Sequence, residues 1–317
     1  MLKIDKLFLD FPELKIIEKS IRKILNSKKS HPFKNVYKRY ALRKPKYFDK
    51  AVKIIKEGST NSGEIIWAYM YIDHFYWGSA LLNHLNLIFQ KLKSKNGFNN
   101  LLKNLMNPDQ FFDTISELEF NGYFSGRYSL YLEPKIDYCY NQFKKLDSKI
   151  KVFDRDIYIE IFTPKMTELL MKSKTAIALP NRSKNKILDK LDKQLNPIKD
   201  KIKSPVLLVV NGSYSDIDEF DIENSLLGEE QITLVFNKKT DETVNTYTTR
   251  KDNSLVDKKP FASCISGVLF YKRHIRPWGI EFRKNITFNK KADYPLSAKE
   301  FKALNRFDLR KIHLKPN

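Results

Sequence analysis

The chain of 317 residues carries 58 Lys+Arg against 37 Asp+Glu, a formal net charge of +21, and is 42% hydrophobic and 13% aromatic. This composition excludes a disordered or fibrous chain, because 22 Phe, 16 Tyr and 3 Trp supply the bulk of a buried core. The most apolar stretch, Ile65 to Phe89, is interrupted by Asp73, His74, Asn83, His84 and Asn86, which excludes a hydrocarbon span and predicts a buried helix or helix pair.

The opening MLKIDKLFLDFPEL places Asp5, Asp10 and Glu13 where a secretory signal needs an unbroken apolar run, so the expectation is a cytoplasmic protein with no membrane partner. From residue 1 to about 126 the apolar spacing is helical. Ile16, Ile17, Ile21, Ile24 and Leu25 begin the pattern, and 47–55 and 65–92 continue it. Breaks fall at HPF (31–33), GSTNSG (58–63) and NPD (107–109). Pro108 and Asp109 then open a helix with Phe111, Phe112, Ile115, Leu118 and Phe124 on one side.

Positive charge is concentrated in this region, with 17 Lys+Arg against 6 Asp+Glu in residues 1–60. In the segment KNVYKRYALRKPKYF, Lys34, Lys38, Arg39, Arg43, Lys44 and Lys46 alternate with Tyr37, Tyr40, Tyr47 and Phe48. Cations for phosphates beside rings for bases suit a nucleic-acid partner. A solvated basic loop anchored by its aromatics accounts for the same residues. The segment YKRHIRPWG, with Arg273 and Arg276, reads in the same two ways. The Lys excess in a chain rich in Asn and Ile also fits codon bias alone.

After Gly126 the pattern changes to short β-rich runs: YSLYLEP, SKIKVF, DIYIEIF, SPVLLVVNGS, QITLVFNK, TVNTYTTR and CISGVLFYKR, with helical stretches at 183–202 and 216–227. The fold class is α/β, a mixed central sheet with flanking helices joined to an N-terminal helical region. No linker divides the chain; the expected organisation is a basic helical region, 1–107, and an α/β domain, 108–317. Residues 280–317 are expected to add an edge element and a short helix.

SKIKVF and DIYIEIF are predicted to form a hairpin turning on Asp154 and Arg155. That pairing sets Lys151 opposite Tyr158, Lys149 opposite Glu160 and Asp147 opposite Phe162. Ile150, Val152, Ile157, Ile159 and Ile161 then share the buried face. The other face carries Asp147, Lys149, Lys151, Tyr158, Glu160 and Phe162, with Asp147 and Glu160 as diagonal neighbours roughly 5–8 Å apart. Two such carboxylates suit a hard divalent cation, which can activate water for phosphodiester hydrolysis. An ordinary Lys149–Glu160 ion pair, with Asp147 capping the strand entry, explains the same residues. Glu117 supplies a third carboxylate if its helix packs across the sheet.

The order SELEFNGYF, then LEP, then Asp147, then IYIEIFTP resembles the core of the PD-(D/E)XK nuclease superfamily, over about residues 110–275. The resemblance implies a restriction-endonuclease-like αβββαβ core and a Mg²⁺ (or Mn²⁺) cofactor. It implies Glu117 as the helix carboxylate, Asp147 as the strand aspartate and Glu160 as the glutamate of the E-x-K motif, the three as metal ligands. The motif's lysine position is Phe162, so Lys149 or Lys165 would have to supply that charge. The function implied is divalent-metal-dependent cleavage of DNA or RNA phosphodiesters. The alternative is a catalytically inactive nuclease-like protein that binds nucleic acid or acts as a scaffold.

No HExxH, GxSxG, P-loop or GxGxxG occurs, which argues against zinc protease, serine hydrolase and nucleotide-binding chemistry. Asp73, Trp77 and His84 share a helix face, but a largely apolar helix whose polar groups are satisfied by neighbours explains them better than an acid–base pair does. The run SDIDEFDIEN lacks the glycine and terminal Glu of a calcium loop and predicts a helix start. Cys139 and Cys264 have no Cys/His cluster nearby and read as two buried free thiols.

Overall fold

A computed structural model of the chain describes residues 3–42, 45–72, 77–139, 142–164, 192–215, 218–228, 230–237, 240, 242–250, 260–276, 279–305 and 312–313. The chain divides into two compact units, Met1–Leu132 with Arg273–Arg283 and Phe307–Asn317, and Glu133–Lys272 with Lys284–Arg306.

The first unit is helical: α1 (Lys3–Asp10), α2 (Glu18–Asn26), α3 (Pro32–Leu42), α4 (Pro45–Glu57), α5 (Ser62–Tyr71), α6 (Trp77–Leu92), α7 (Phe98–Leu105) and α8 (Phe111–Phe124), followed by strand β1 (Ser129–Leu132). The three expected breaks separate helices for local reasons. His31 starts α3: its Nδ1 accepts from the Phe33 N–H while its Nε2 lies 3.2 Å from the Met106 carbonyl oxygen. Gly58 takes φ +80° after α4, and Asn61 caps α5 by accepting from the Gly63 N–H. Asn107 in the third break accepts from the Asp109 N–H ahead of α8.

Helix α6 is the hub, packed on α3 and α8. Its Leu81, Leu82, Leu85, Ile88, Phe89 and Leu92 are buried along one face, and the polar interruptions Asn83 and Asn86 lie off that face and are half-buried, which is why they are compatible with a core. Gly78 permits the contact with α3, because an added Cβ would lie 2.6 Å from the Val36 carbonyl oxygen. Of the expected buried helix or helix pair, α6 is buried whereas α5 exposes Ile66, Tyr69 and Met70, and no helix among the described residues is long and apolar enough to cross a membrane.

The second unit is α/β. Strands β2 (Lys135–Cys139) and β3 (Gln142–Lys145) form a small antiparallel ribbon, a pairing the residue pattern did not predict. Strands β4 (Ser148–Val152) and β5 (Arg155–Phe162) are the expected hairpin. Strand β6 (Val206–Asn211) runs parallel to β5. After the ribbon of β7 (Glu230–Phe236) and β8 (Thr243–Arg250), strand β9 (Ile265–Arg276) runs parallel to β6. Strand β10 (Gly279–Phe288) continues the order β4-β5-β6-β9-β10, a mixed sheet as expected. Gly279 and Ile280 of β10 pair with the short β11 (Ile312–His313).

Among the described residues this unit includes the helices α9 (Glu219–Leu227) and α10 (Ala298–Asn305). The acidic run is the start of α9. Asp218 accepts from the Asp221 N–H and Asp221 accepts from the Asp218 N–H, a reciprocal cap. Of the helical stretch expected at 183–202, residues through 191 lie outside the described ones, 192–195 are α-helical as expected, and Asn196–Lys201 is a 3₁₀ turn.

Strand β6 is buried along its whole length, and Val206, Leu208 and Val210 join Ile198, Ile222, Leu226 and Phe162 in one apolar cluster. Cys264 lies in the same cluster, where burial pushes its thiol up to about 12. Cys139, by contrast, is exposed, because its ribbon strand has only one covered face; the expected pair of buried thiols holds for Cys264 alone.

The β7–β8 ribbon behaves oppositely. Its Ile232, Leu234, Val244 and Tyr247 are all exposed. Ile157→Ala, at a fully buried position, is therefore expected to cost about 2–5 kcal/mol. Ile232→Ala, at a residue 66% exposed, is expected to stay within about 0.5 kcal/mol. Urea unfolding followed by circular dichroism separates the two.

Candidate functional site

The β4–β5 hairpin turns on Phe153 and Asp154, one residue earlier than the pattern predicts. Phe153 takes φ +53°, a left-handed conformation that bulky residues rarely adopt, and it points into solvent at 63% exposure. The pairing is consequently shifted: Lys149 lies opposite Tyr158 instead of Glu160, and Lys151 opposite Asp156 instead of Tyr158. The two-residue offset preserves which side chains share a face, so Ile150, Ile157, Ile159 and Ile161 are buried together as expected.

The shift brings Asp147 to the base of the hairpin beside Glu160. The Ile161 N–H donates to Asp147 Oδ2 at 2.5 Å, and the Asp147 carbonyl accepts from the Glu133 N–H. Asp147 thus extends the β4–β5 ladder by one bond through its side chain, the strand-entry cap that was the alternative reading. Glu160 is only 1% exposed, between Tyr158 and Phe162 on its own strand and opposite Leu208 of β6. Phe162 is packed in the apolar cluster with Val206, Leu208 and Val210.

The expected Lys149–Glu160 ion pair is replaced by Lys149–Asp156 at 2.8 Å, with the Lys149 ammonium 5.9 Å from the Tyr158 ring centroid. Glu117 is half-buried in α8 and belongs to the first unit, whereas Asp147 and Glu160 belong to the second. Lys165 lies outside the described residues. Among the described residues, no group of three or more His, Cys, Asp and Glu side chains is placed to hold a metal ion.

The basic residues separate into different surroundings. The Lys34 ammonium donates to the Ser27 carbonyl, Lys38 is exposed and Arg39 is half-buried. Lys46 is exposed, with its ammonium 5.1 Å from the Tyr47 ring centroid. Arg43 and Lys44 lie outside the described residues, and Arg276 ends strand β9.

Arg273 is not a surface cation. Its side chain is 3% exposed and donates to Glu119 of α8, which also lies 3.2 Å from His84 Nε2 of α6. Burial pushes the Glu119 carboxyl up, but the Arg273 guanidinium and the His84 ring outweigh it and hold the group below the usual carboxylate range. The His84 partner is therefore Glu119; Asp73, the partner considered from helical spacing, lies outside the described residues. Spacing did not reveal Glu119, although a Glu flanked by Leu118 and Phe120 on an apolar helix is the local signal of a buried carboxylate.

Comparison with protein-family models, with curated proteins and with solved structures finds no match to this chain. The site is thus interpreted from its own geometry. Asp147 serves the backbone and Glu160 is enclosed, whereas Lys38, Lys46 and Tyr47 of the helical unit face solvent and Tyr40 and Phe48 are buried.

Three measurements follow from these placements. Asp147→Ala is expected to cost about 1.5–3 kcal/mol, the range of a hydrogen bond to a charged group, with Asp147→Asn recovering part of it by keeping an acceptor. Arg273→Met is expected to cost about 3–5 kcal/mol by leaving Glu119 buried without its cation. Because the folded Glu119 carboxyl is depressed from 4.5, its contribution is fully present above pH 4.5 and is lost as pH falls through the folded value. Glu119→Gln is expected to flatten that acid limb in unfolding midpoints measured from pH 7 to 3.

Proposed function

We propose that the chain binds nucleic acid through its basic helical region and carries a nuclease-like α/β core that does not hydrolyse phosphodiesters. The observation that carries the second half is the packing of Phe162: at the position where an E-x-K motif needs a lysine, an aromatic ring fills the apolar cluster beside β6. Lys149, the relocated cation on the same face, is bonded to Asp156.

The donor set fits Mg²⁺ or Mn²⁺ poorly. Such an ion keeps several waters besides one or two carboxylates. Glu160, at 1% exposure between an aromatic pair, is shielded from the solvent that would hydrate such an ion, and one oxygen of the Asp147 carboxylate is engaged by a backbone N–H.

The kinship with a restriction-endonuclease-like core is supported by element order. A helix carrying Glu117 precedes an antiparallel hairpin carrying Asp147 and Glu160, which is followed by a parallel strand, β6. The nucleic-acid half rests on the net charge of +21, its concentration in residues 1–60, and the exposure of Lys38 and Lys46 there.

The second reading, metal-dependent cleavage, is favoured by one observation: the Asp147 carboxylate accepts from the N–H of Ile161, the residue next to Glu160, so the two motif residues are neighbours across the hairpin. Labelled single- and double-stranded DNA and RNA, incubated with Mg²⁺ or Mn²⁺, decide between the readings. The expected result is binding that weakens steeply between 50 and 200 mM salt, without cleavage. Cleavage by the wild type that is lost in both Asp147→Ala and Glu160→Ala would establish the second reading. No binding at low salt would sink both.

A further inference from the structure

Helices α4 and α5 bring together side chains that no sequence motif joins. Tyr47 meets Trp67 and Tyr71 edge-on, with ring centroids 6.4 Å and 6.1 Å away, and Trp67 stacks on Tyr71 at 5.5 Å. Tyr71 is buried and belongs to the core of this helix pair, together with Phe48, Ala51 and Ala68. Tyr47 is 37% exposed and Trp67 is half-buried, so two rings of the group reach the surface on a support that packing holds in place.

An ammonium lies over each of those two rings, Lys46 at 5.1 Å from the Tyr47 centroid and Lys50 at 5.5 Å from that of Trp67. Lys53 follows at the next helical step, so the three lysines share one side of α4. Glu64 and Glu57 pair with Lys50 and Lys53 at 3.9 Å, long and solvent-exposed ion pairs that are worth little and that a phosphate can displace. On α5, Ile66, Tyr69 and Met70 are exposed at 59%, 51% and 66%, an apolar strip one turn long.

We infer that this α4–α5 face binds single-stranded nucleic acid, with bases stacked on Tyr47 and Trp67 and phosphates held by Lys46, Lys50 and Lys53. Stacking a base on either ring displaces the ammonium above it, and that ammonium finds a phosphate of the same strand. Neither cation nor ring loses a partner in the exchange. The bases of a duplex are already stacked on one another, so this arrangement favours an unpaired strand. The inference rests on the nucleic-acid reading above and specifies the form of the partner and where it binds.

The test is fluorescence anisotropy of the full chain with a labelled single-stranded oligonucleotide and its duplex. The variants are the triple Lys46→Gln, Lys50→Gln, Lys53→Gln, and, as a control of equal charge, Lys193→Gln, Lys201→Gln, Lys203→Gln in the second unit. The first triple is expected to weaken single-strand affinity at least tenfold and to lower the salt slope by about 2; the control is expected to change affinity less than threefold. Tyr47→Leu is expected to weaken binding at least fivefold with an unchanged salt slope. Trp67→Phe, which keeps an aromatic ring, is expected to retain most of the affinity but lose part of the tryptophan quenching seen on binding.

Circular dichroism of each variant separates lost binding from lost folding. Equal losses in the two triples, a preference for duplex, or association of this face with phosphatidylserine vesicles in place of the oligonucleotide would overturn the inference. Intact oligonucleotide binding in the first triple would overturn it while leaving the proposed function standing. Absence of oligonucleotide binding by the wild type would remove both.

Discussion

Burial of β6 on both faces constrains the second unit more than any other feature. A strand reading VLLVVN has no polar side for water, so it must be flanked by strands on both edges and covered on both faces. Its parallel neighbours meet that need: β5 pairs with it from Tyr158↔Val206 to Phe162↔Val210, and β9 pairs along its other edge. The alternate residues Val206, Leu208 and Val210 then face the turn and helix that carry Ile198, Ile222 and Leu226. Glu160 and Phe162 are enclosed as a consequence of this pairing, since they lie beside Leu208 and Val210. The chemistry available at the motif positions is thus limited by a neighbouring strand.

The helical unit depends on a different device. Glu119, His84 and Arg273 come from residues far apart in sequence and meet where water is excluded. A buried ion group of this kind is a poor source of stability compared with an apolar replacement, yet it is costly to break, because each charge left behind has lost its solvation. It therefore favours the one arrangement of α6, α8 and the end of β9 in which all three groups meet. The same reasoning explains why Arg273, in a basic and aromatic stretch, is not available to a polyanion.

The hairpin illustrates how far residue patterning reaches. Alternation of Ile and Val with polar groups identified both strands, their antiparallel pairing and the faces of the side chains, because a strand's period of two survives a shift in the pairing by two residues. The turn itself was not legible, since Asp154-Arg155 carries the residue type that turns favour whereas the chain turns through Phe153 at positive φ. The offset moved Asp147 from a position diagonal to Glu160 to the place where its side chain accepts from the Ile161 N–H. Helix caps were legible where the interaction is local: Asn61 and Asp218 each accept from an N–H within three residues.

Composition and periodicity alone determined a basic, helix-first α/β protein, the positions of its breaks, and a mixed sheet with a buried central strand. Those properties depend on neighbours in sequence or on how much apolar surface a segment must hide. Only tertiary structure decided that Asp147 serves the backbone, that Glu160 and Phe162 are enclosed, that Arg273 is spent on Glu119, and that Trp67 joins Tyr47. Each of these depends on which distant segment lies opposite, and a carboxylate, a guanidinium or an indole has the same sequence signature whether its partner is water or a buried side chain.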